Sequence, residues 1–351
     1  MWFKTLISLL AFFTVTFPEV CREEVTFYTC RGPGSNEMIP RKGILIKRDG
    51  AQATILILHG FGGDKTEVGP LRLMLKKYNV MTFDFRAHGK EGCKQCAGDE
   101  VCTIGHDEVY DVFGAVDYIK SDPDIKDLPL IAFGLSMGAA TAIEAQSLAT
   151  EAQPLDPNLF DAMFLDTPFA TSDCFIKKMT DSLDFKILGY EIDFLKRLVR
   201  EYAFTTLGQG VLKSYIRLKY GNIKIDTFIK PIYPIKSIKN VHIPICLIAC
   251  KNDEKIPYED VLKLVDEHPG ITRLIITGGR HHCDSIFYMP EEYKNLLNDF
   301  VQDVISGKIN EQSKKEVFKF FVENEREDEH YIRKLSDLEP YEADVDLVTV
   351  N

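Results

Sequence analysis

Ser136 stands in Gly134-Leu135-Ser136-Met137-Gly138, directly after an apolar run at 130–133 and before the small residues Ala139, Ala140 and Ala142. A serine hydroxyl is a weak nucleophile near neutral pH and attacks a carbonyl only when a neighbouring base takes its proton. A tight strand–turn–helix junction suits that use, because it holds the hydroxyl out at the carboxyl end of a sheet. Glycines at 134 and 138 lack the Cβ atoms that would collide where such a strand and helix pack back to back. A serine that merely caps a helix is the plainer alternative, and the partners that follow in order weigh against it. Asp253 comes after the apolar run at 245–249, in Lys251-Asn252-Asp253. Asp166 closes another apolar run, at 162–165, and is the rival acid. The base comes from Gly279-Arg280-His281, with His282 beside it. The G-x-H spacing favours His281, and His282 is the alternative. In such an arrangement the histidine takes the serine proton, and the carboxylate fixes its tautomer and stabilises the imidazolium.

Upstream, His59-Gly60-Phe61-Gly62-Gly63 follows the apolar run at 54–58, and its glycines permit a tight loop. Together these motifs resemble the α/β-hydrolase fold over roughly residues 40–306. They are most similar to cap-bearing serine hydrolases related to monoacylglycerol lipases, esterases and serine aminopeptidase-like proteins. Asp84-Phe85-Arg86-Ala87-His88-Gly89 resembles the D-x-R-G-H-G element of those proteins, with Ala87 where glycine is usual. The resemblance implies Ser136, Asp253 and His281 as the catalytic triad, with an oxyanion hole made by the backbone N–H groups of Phe61 and Met137. His59 is then a structural residue orienting the oxyanion loop, and Asp84, Arg86 and His88 form a hydrogen-bonded scaffold. Neither a metal nor an organic cofactor is called for.

The elements that must position these residues show in the hydrophobic pattern. Residues 24–29 and 43–47 alternate apolar and polar like outer strands. The runs at 54–58, 80–85, 130–133, 162–166, 245–249 and 273–277 read as buried strands. Asp64 is placed to cap a helix over 65–77, and apolar residues at 109, 112, 113, 116 and 119 predict another over 106–119. Further helices are expected over 258–267 and 290–305, and a short appended one around 317–322. Strands alternating with helices predict an α/β protein with a mostly parallel central sheet flanked by helices. The alternation stops between 171 and 239, which reads as an inserted helical cap. The domain plan is a leader over 1–23, a hydrolase domain over 24–306 and an acidic tail over 307–351.

Composition sets the remaining bounds. Of 351 residues, 45% are hydrophobic and 27% charged, as in an ordinary globular protein with a sizeable core. A net charge of −11 argues against nucleic-acid binding. Ten acids face three basic residues from Val322 onward, so the tail carries most of the excess. The cap segment goes the other way, with thirteen lysines and arginines against seven acids over 171–239. Phe194, Leu195, Leu198, Val199 and Tyr202 would share one helical face, and Lys196, Arg197 and Arg200 the other. Such a helix reads as an ordinary solvated face, as a membrane-surface contact or as the lining of an acyl pocket. Lys4 followed by a mostly apolar stretch over 5–17 suits a secretory signal, with an uncleaved anchor as the alternative. The expected location is accordingly exported, or anchored by that segment. In an exported protein Cys93, Cys96 and Cys102, with His106 beyond, read as a disulfide or an unpaired cluster, and less readily as a zinc site. The expected function is cleavage of an ester, thioester or related acyl bond through an acyl-serine, with a small-molecule or lipid acyl substrate. An acyltransferase on the same triad and a catalytically idle binding module are the alternatives. Oligomeric state, acyl chain length and leaving group stay open.

Overall fold

A computed structural model describes residues 20–66, 71, 74–89, 100–152, 158–181, 186–187, 190–191, 197, 200–206, 208–211, 214, 227–268, 271–279, 281–310 and 316–320. Two outer strands, β1 (Val20–Cys30) and β2 (Met38–Arg48), form a long antiparallel pair. They extend further than the alternation alone suggests. The buried strands are β3 (Thr54–Leu58), β4 (Asn79–Phe83), β5 (Leu130–Leu135) and β6 (Ala162–Asp166). Two short strands, β7 (Lys186–Ile187) and β8 (Tyr190–Glu191), form an antiparallel pair. The main sheet resumes with β9 (Ile245–Cys250), β10 (Ile271–Thr277) and β11 (Glu316–Phe320). Its order is β1-β2-β4-β3-β5-β6-β9-β10-β11, antiparallel as far as β4 and parallel beyond.

Helices of the described residues include α1 (Glu108–Ser121), α2 (Met137–Ala152), α3 (Ser172–Asp181), α4 (Pro234–Ser237), α5 (Tyr258–Glu267), α6 (Ser285–Tyr288) and α7 (Pro290–Ile305). Successive residues of a strand face opposite sides, so continuous apolar runs build two cores at once. Leu56, Leu58, Met81 and Ala132 pack on the face covered by α1 and α2. Ile55, Ile57, Val80, Ile131 and Phe133 pack on the other, against Tyr293, Leu296, Leu297 and Phe300 of α7. Phe133 stacks on Phe164 with ring centroids 5.3 Å apart, and the Tyr293 ring meets Phe164 edge-on.

The appended segment is a correction: Glu316–Phe320 forms a strand, where the sequence reading expects a helix. The open edge of β10 supplies a parallel partner, with Val317 and Phe318 buried in opposite cores. Arg273 reinforces the join, bonding Glu316 at 2.7 Å and Asp303 of α7. Of the expected helix over 65–77, Leu71 and Met74 are helical. Residues 1–19, Cys93, Cys96, Arg280, Phe194, Leu195, Lys196, Leu198, Val199 and everything beyond 320 lie outside the described residues. Most of the leader, the tail beyond Phe320 and most of the basic amphipathic segment therefore lie outside them too. The seven described cysteines are not disulfide-bonded. Cys102 is buried with its Sγ 3.8 Å from the Met137 Sδ, and His106 pairs with Asp107, so neither is set up as a zinc ligand.

Candidate active site

Sheet order reverses at β3. The chain moves outward from β3 to β4, then returns to place β5 on the other flank of β3. In open α/β sheets the crevice at the carboxyl ends of such neighbouring strands is where ligands bind. Ser136 follows β5 there, and the loop at 59–63 follows β3.

The turn at Ser136 is forced by close packing. Ser136 has φ +50°, in the left-handed region that costs a non-glycine residue about 1–2 kcal/mol. Its amide donates to the Asp166 carbonyl at 2.9 Å, and its own carbonyl starts α2 by accepting from Ala140 at 3.0 Å. A Cβ at Gly134 would meet the Ala139 Cα at 2.5 Å, and one at Gly138 would overlap the Leu58 carbonyl. Strand and helix can approach this closely only with glycine at both places.

The histidine that faces Ser136 is His282, where the sequence reading prefers His281. His282 Nε2 lies 2.6 Å from Ser136 Oγ, and Nδ1 lies 2.7 Å from Asp253 Oδ2. The neighbour turns away: the His281 side chain is 70% exposed and approaches Glu254 at 3.6 Å. The reason lies in the turn after β10. Cys283 takes φ +56°, and the Asp284 amide bonds the His281 carbonyl at 3.2 Å, which swings position 282 inward. Motif spacing does not register that twist, and the only signal was a second histidine beside the first.

Asp253 holds the position expected of the acid. Its side chain is fully buried, and Oδ1 accepts the amides of Lys255 at 2.7 Å and Ile256 at 2.9 Å. That leaves Oδ2 for the histidine. A carboxylate so placed fixes the His282 tautomer with Nδ1 protonated and Nε2 free to accept the Ser136 proton. Asp166, the rival, does not face His282. It is fully buried beneath the site and accepts a 2.8 Å hydrogen bond from the Tyr293 hydroxyl. Burial pushes its carboxyl up to about 7, against the Tyr293 bond and with the Asp253 charge adding to the rise.

The loop after β3 is anchored from below. The Phe85 amide donates to His59 Nε2 at 3.1 Å, which leaves Nδ1 to donate to the Gly60 carbonyl at 2.8 Å. Burial and the nearby His88 push His59 down to about 3, so it stays neutral in that tautomer. Gly60 O also accepts the Gly63 amide at 3.1 Å. In a trans peptide the C=O and the following N–H point opposite ways. With the Gly60 carbonyl turned into the anchor, the Phe61 N–H faces away from it. A Cβ on Gly60 would lie 3.5 Å from Ser136 Cβ and from the Leu135 carbonyl, so this loop touches the serine turn.

The Asp84–Gly89 element is a scaffold for that loop, as expected. Asp84 pairs with Lys65 at 2.5 Å and accepts its amide at 2.7 Å. Arg86 bonds Asp111 of α1 and the carbonyls of Arg31 and Cys30. Burial alone would raise the Asp111 carboxyl, but Arg41 and Arg86 together hold it below the ordinary range. Ala87 takes φ +60°, the conformation that explains glycine at this place in the pattern it resembles. His88 donates through Nδ1 to the Arg86 carbonyl, and its ring meets Phe61 edge-on at 5.8 Å.

No protein-family model matches the chain, and no curated protein matches it in sequence. Solved structures do match. An esterase of Pyrococcus furiosus, Pf2001, is 21% identical with TM-score 0.55, covering 80% of this chain and 92% of that one. Est1E of Butyrivibrio proteoclasticus, solved with ferulic acid bound, is 17% identical with TM-score 0.51, over 80% of this chain and 99% of that one. An acylaminoacyl peptidase of Pyrococcus horikoshii is 16% identical with TM-score 0.52, over 87% of this chain and 44% of that longer one. At these identities the likeness is one of fold.

Proposed function

From this α/β-hydrolase fold and the residues gathered at its switch point, we propose that the protein is a serine hydrolase. It cleaves an ester, thioester or related acyl bond, with a carboxylic ester as the favoured substrate class. The observation that carries the reading is the unbroken line Asp253–His282–Ser136, with both hydrogen bonds in place. His282 takes the Ser136 proton as Oγ attacks the acyl carbon, and Asp253 stabilises the imidazolium. The tetrahedral oxygen is held by the N–H groups of Phe61 and Met137, at the loop after β3 and the start of α2. Positive charge at the amino end of α2 adds to that stabilisation. His282 then returns the proton to the leaving group, and the acyl-serine forms. Water, activated by the same histidine, attacks the acyl carbon and frees the serine. Esterases and an acylaminoacyl peptidase both stand among the structural neighbours, a mixture that supports acyl-bond hydrolysis as the reaction class.

A fluorophosphonate probe tests the nucleophile. Wild-type protein is expected to be labelled and Ser136→Ala to remain unlabelled. Equal labelling of both would sink the assignment of Ser136, and labelling of neither would favour a catalytically idle module.

A further inference from the structure

Residues 102–107 close the long loop between β4 and α1, and they join two parts of the molecule. On one side they meet the amino end of α2. Cys102 lies against Met137, the residue after the nucleophile, and a Cβ on Gly105 would stand 3.1 Å from the Thr141 hydroxyl. On the other side they meet the end of the insertion between β6 and β9. The Cys102 carbonyl accepts the Phe228 amide at 2.8 Å, and the Thr103 carbonyl accepts the Lys230 amide at 3.3 Å. The Lys230 ammonium reaches Asp107 at 2.6 Å. Gln209 carries the join further into the insertion, its side chain bonding the Ala203 carbonyl and both the N–H and the C=O of Ile229.

One buried carboxylate draws this loop together. Glu108 starts α1 with its side chain fully buried. One oxygen accepts the Thr103 amide at 2.8 Å. The other accepts the Thr103 hydroxyl at 2.6 Å and the Gly105 amide at 2.8 Å. Those bonds hold a bend that passes through φ +59° at Ile104 and +100° at Gly105. The three groups that bond Glu108 are donors, which suits a carboxylate, an acceptor at both oxygens. A glutamine of the same shape does not suit the place. Whichever way its amide is turned, its NH2 meets the N–H of Thr103 or that of Gly105. A buried N–H left without an acceptor is costly, so the loop would have to move.

We propose that Glu108 is a positioning residue for the reaction, holding the 102–105 loop so that residues 227–232 of the insertion lie in register beside the Met137 end of the site. The insertion leaves β6 at the same end of the sheet as Ser136, and its Ala203, Ile229 and Ile232 share one apolar cluster with Met137. A substrate long enough to reach that surface depends on Glu108, whereas an acetyl ester needs only the triad and the oxyanion donors. The kinetic consequence rests on the hydrolase reading above, and the anchoring of the insertion does not.

The test has two arms on the full chain, each comparing wild type with Glu108→Gln. The first is hydrogen–deuterium exchange read peptide by peptide. Exchange is expected to quicken over 102–106 and 227–232 and to stay unchanged over β5 and β6. No change over 227–232 overturns the proposal, as does an even rise along the whole chain, which marks a general loss of stability. The second arm follows hydrolysis of an acetyl ester and of the longest straight-chain acyl ester that wild type accepts. The variant's kcat/KM is expected to fall about tenfold further for the long ester than for the acetyl one, because only a fraction of molecules hold the insertion in register. That extra loss should lie in KM. Equal losses on both esters overturn the proposal. Should Glu108→Gln not fold, Lys230→Met replaces it in both arms, cutting the Asp107 bond from a side chain that is partly exposed. The same pattern must then appear, and its absence overturns the proposal. Wild type that hydrolyses no ester would contradict the hydrolase reading, while the exchange arm still decides the role of Glu108.

Discussion

At φ +50° Ser136 is held in backbone geometry that few residues adopt, and the bonds around it make that geometry the only one available. The amide is tied to Asp166 and the carbonyl to α2. Its hydroxyl is left to His282. Two neighbouring histidines therefore differ sharply in expected consequence. His282→Ala should lower kcat/KM for a soluble ester by about 10³-fold or more, since it removes the proton acceptor. His281→Ala should change it no more than a few-fold, because that side chain points to solvent beside Glu254. Steady-state kinetics on the two variants decides between them, and a reversed pattern would overturn the assignment. Asp166 carries a prediction about stability. Its carboxyl moves from 3.8 to about 7 on burial, so the folded state holds a proton that the unfolded chain has released between those values. Stability then falls as pH rises across that window and levels off above it. Asp166→Asn has no such proton, so its stability relative to wild type should rise by on the order of 4 kcal/mol between about pH 4 and pH 7. Urea unfolding at a series of pH values measures it, and parallel curves for the two proteins would contradict it.

Elements carry these residues into register by packing closely enough to forbid side chains. The β5–α2 junction is the tightest case. A methyl at Gly138 would overlap backbone atoms of Leu58 and His59, which have no rotamer to escape into. Gly138→Ala should cost about 3 kcal/mol or more in thermal or urea unfolding. Ala87→Gly should leave stability unchanged or slightly raised, because glycine relieves the φ of +60° at a cost in unfolded-chain entropy. A tolerated Gly138→Ala would mean that the junction is looser than this packing implies. Much of this scale was readable from the sequence. The runs that became β3, β5, β6 and β9 and the stripes that became α1, α5 and α7 show as apolar patterns, because burial on two faces or one leaves distinct periodicities. The strand at Glu316–Phe320 was missed, since a short apolar patch carries no period and its partner lies across the sheet at β10.

For the whole molecule, the site is an outcome of topology. Three loops, after β3, β5 and β10, meet with the acid after β9 because the sheet order reverses between β4 and β5. Ser136 and Asp253 could be named from the sequence because each follows a buried strand in the required order. His282 could not be separated from His281, because a left-handed turn at Cys283 decides which of two adjacent side chains faces inward. The supports were less legible still. His59 bonding Phe85, Asp253 taking two amides and Asp166 beneath the elbow are contacts between residues far apart in the chain. The central claim is that this assembled site passes an acyl group through Ser136. Acid quenching of wild type during turnover of an activated short-chain ester, followed by peptide mapping in a mass spectrometer, tests it most directly. The expected result is an acyl adduct on the peptide bearing Ser136, absent from Ser136→Ala. Ester turnover retained in Ser136→Ala, or an adduct at another residue with Ser136 bare, would contradict it.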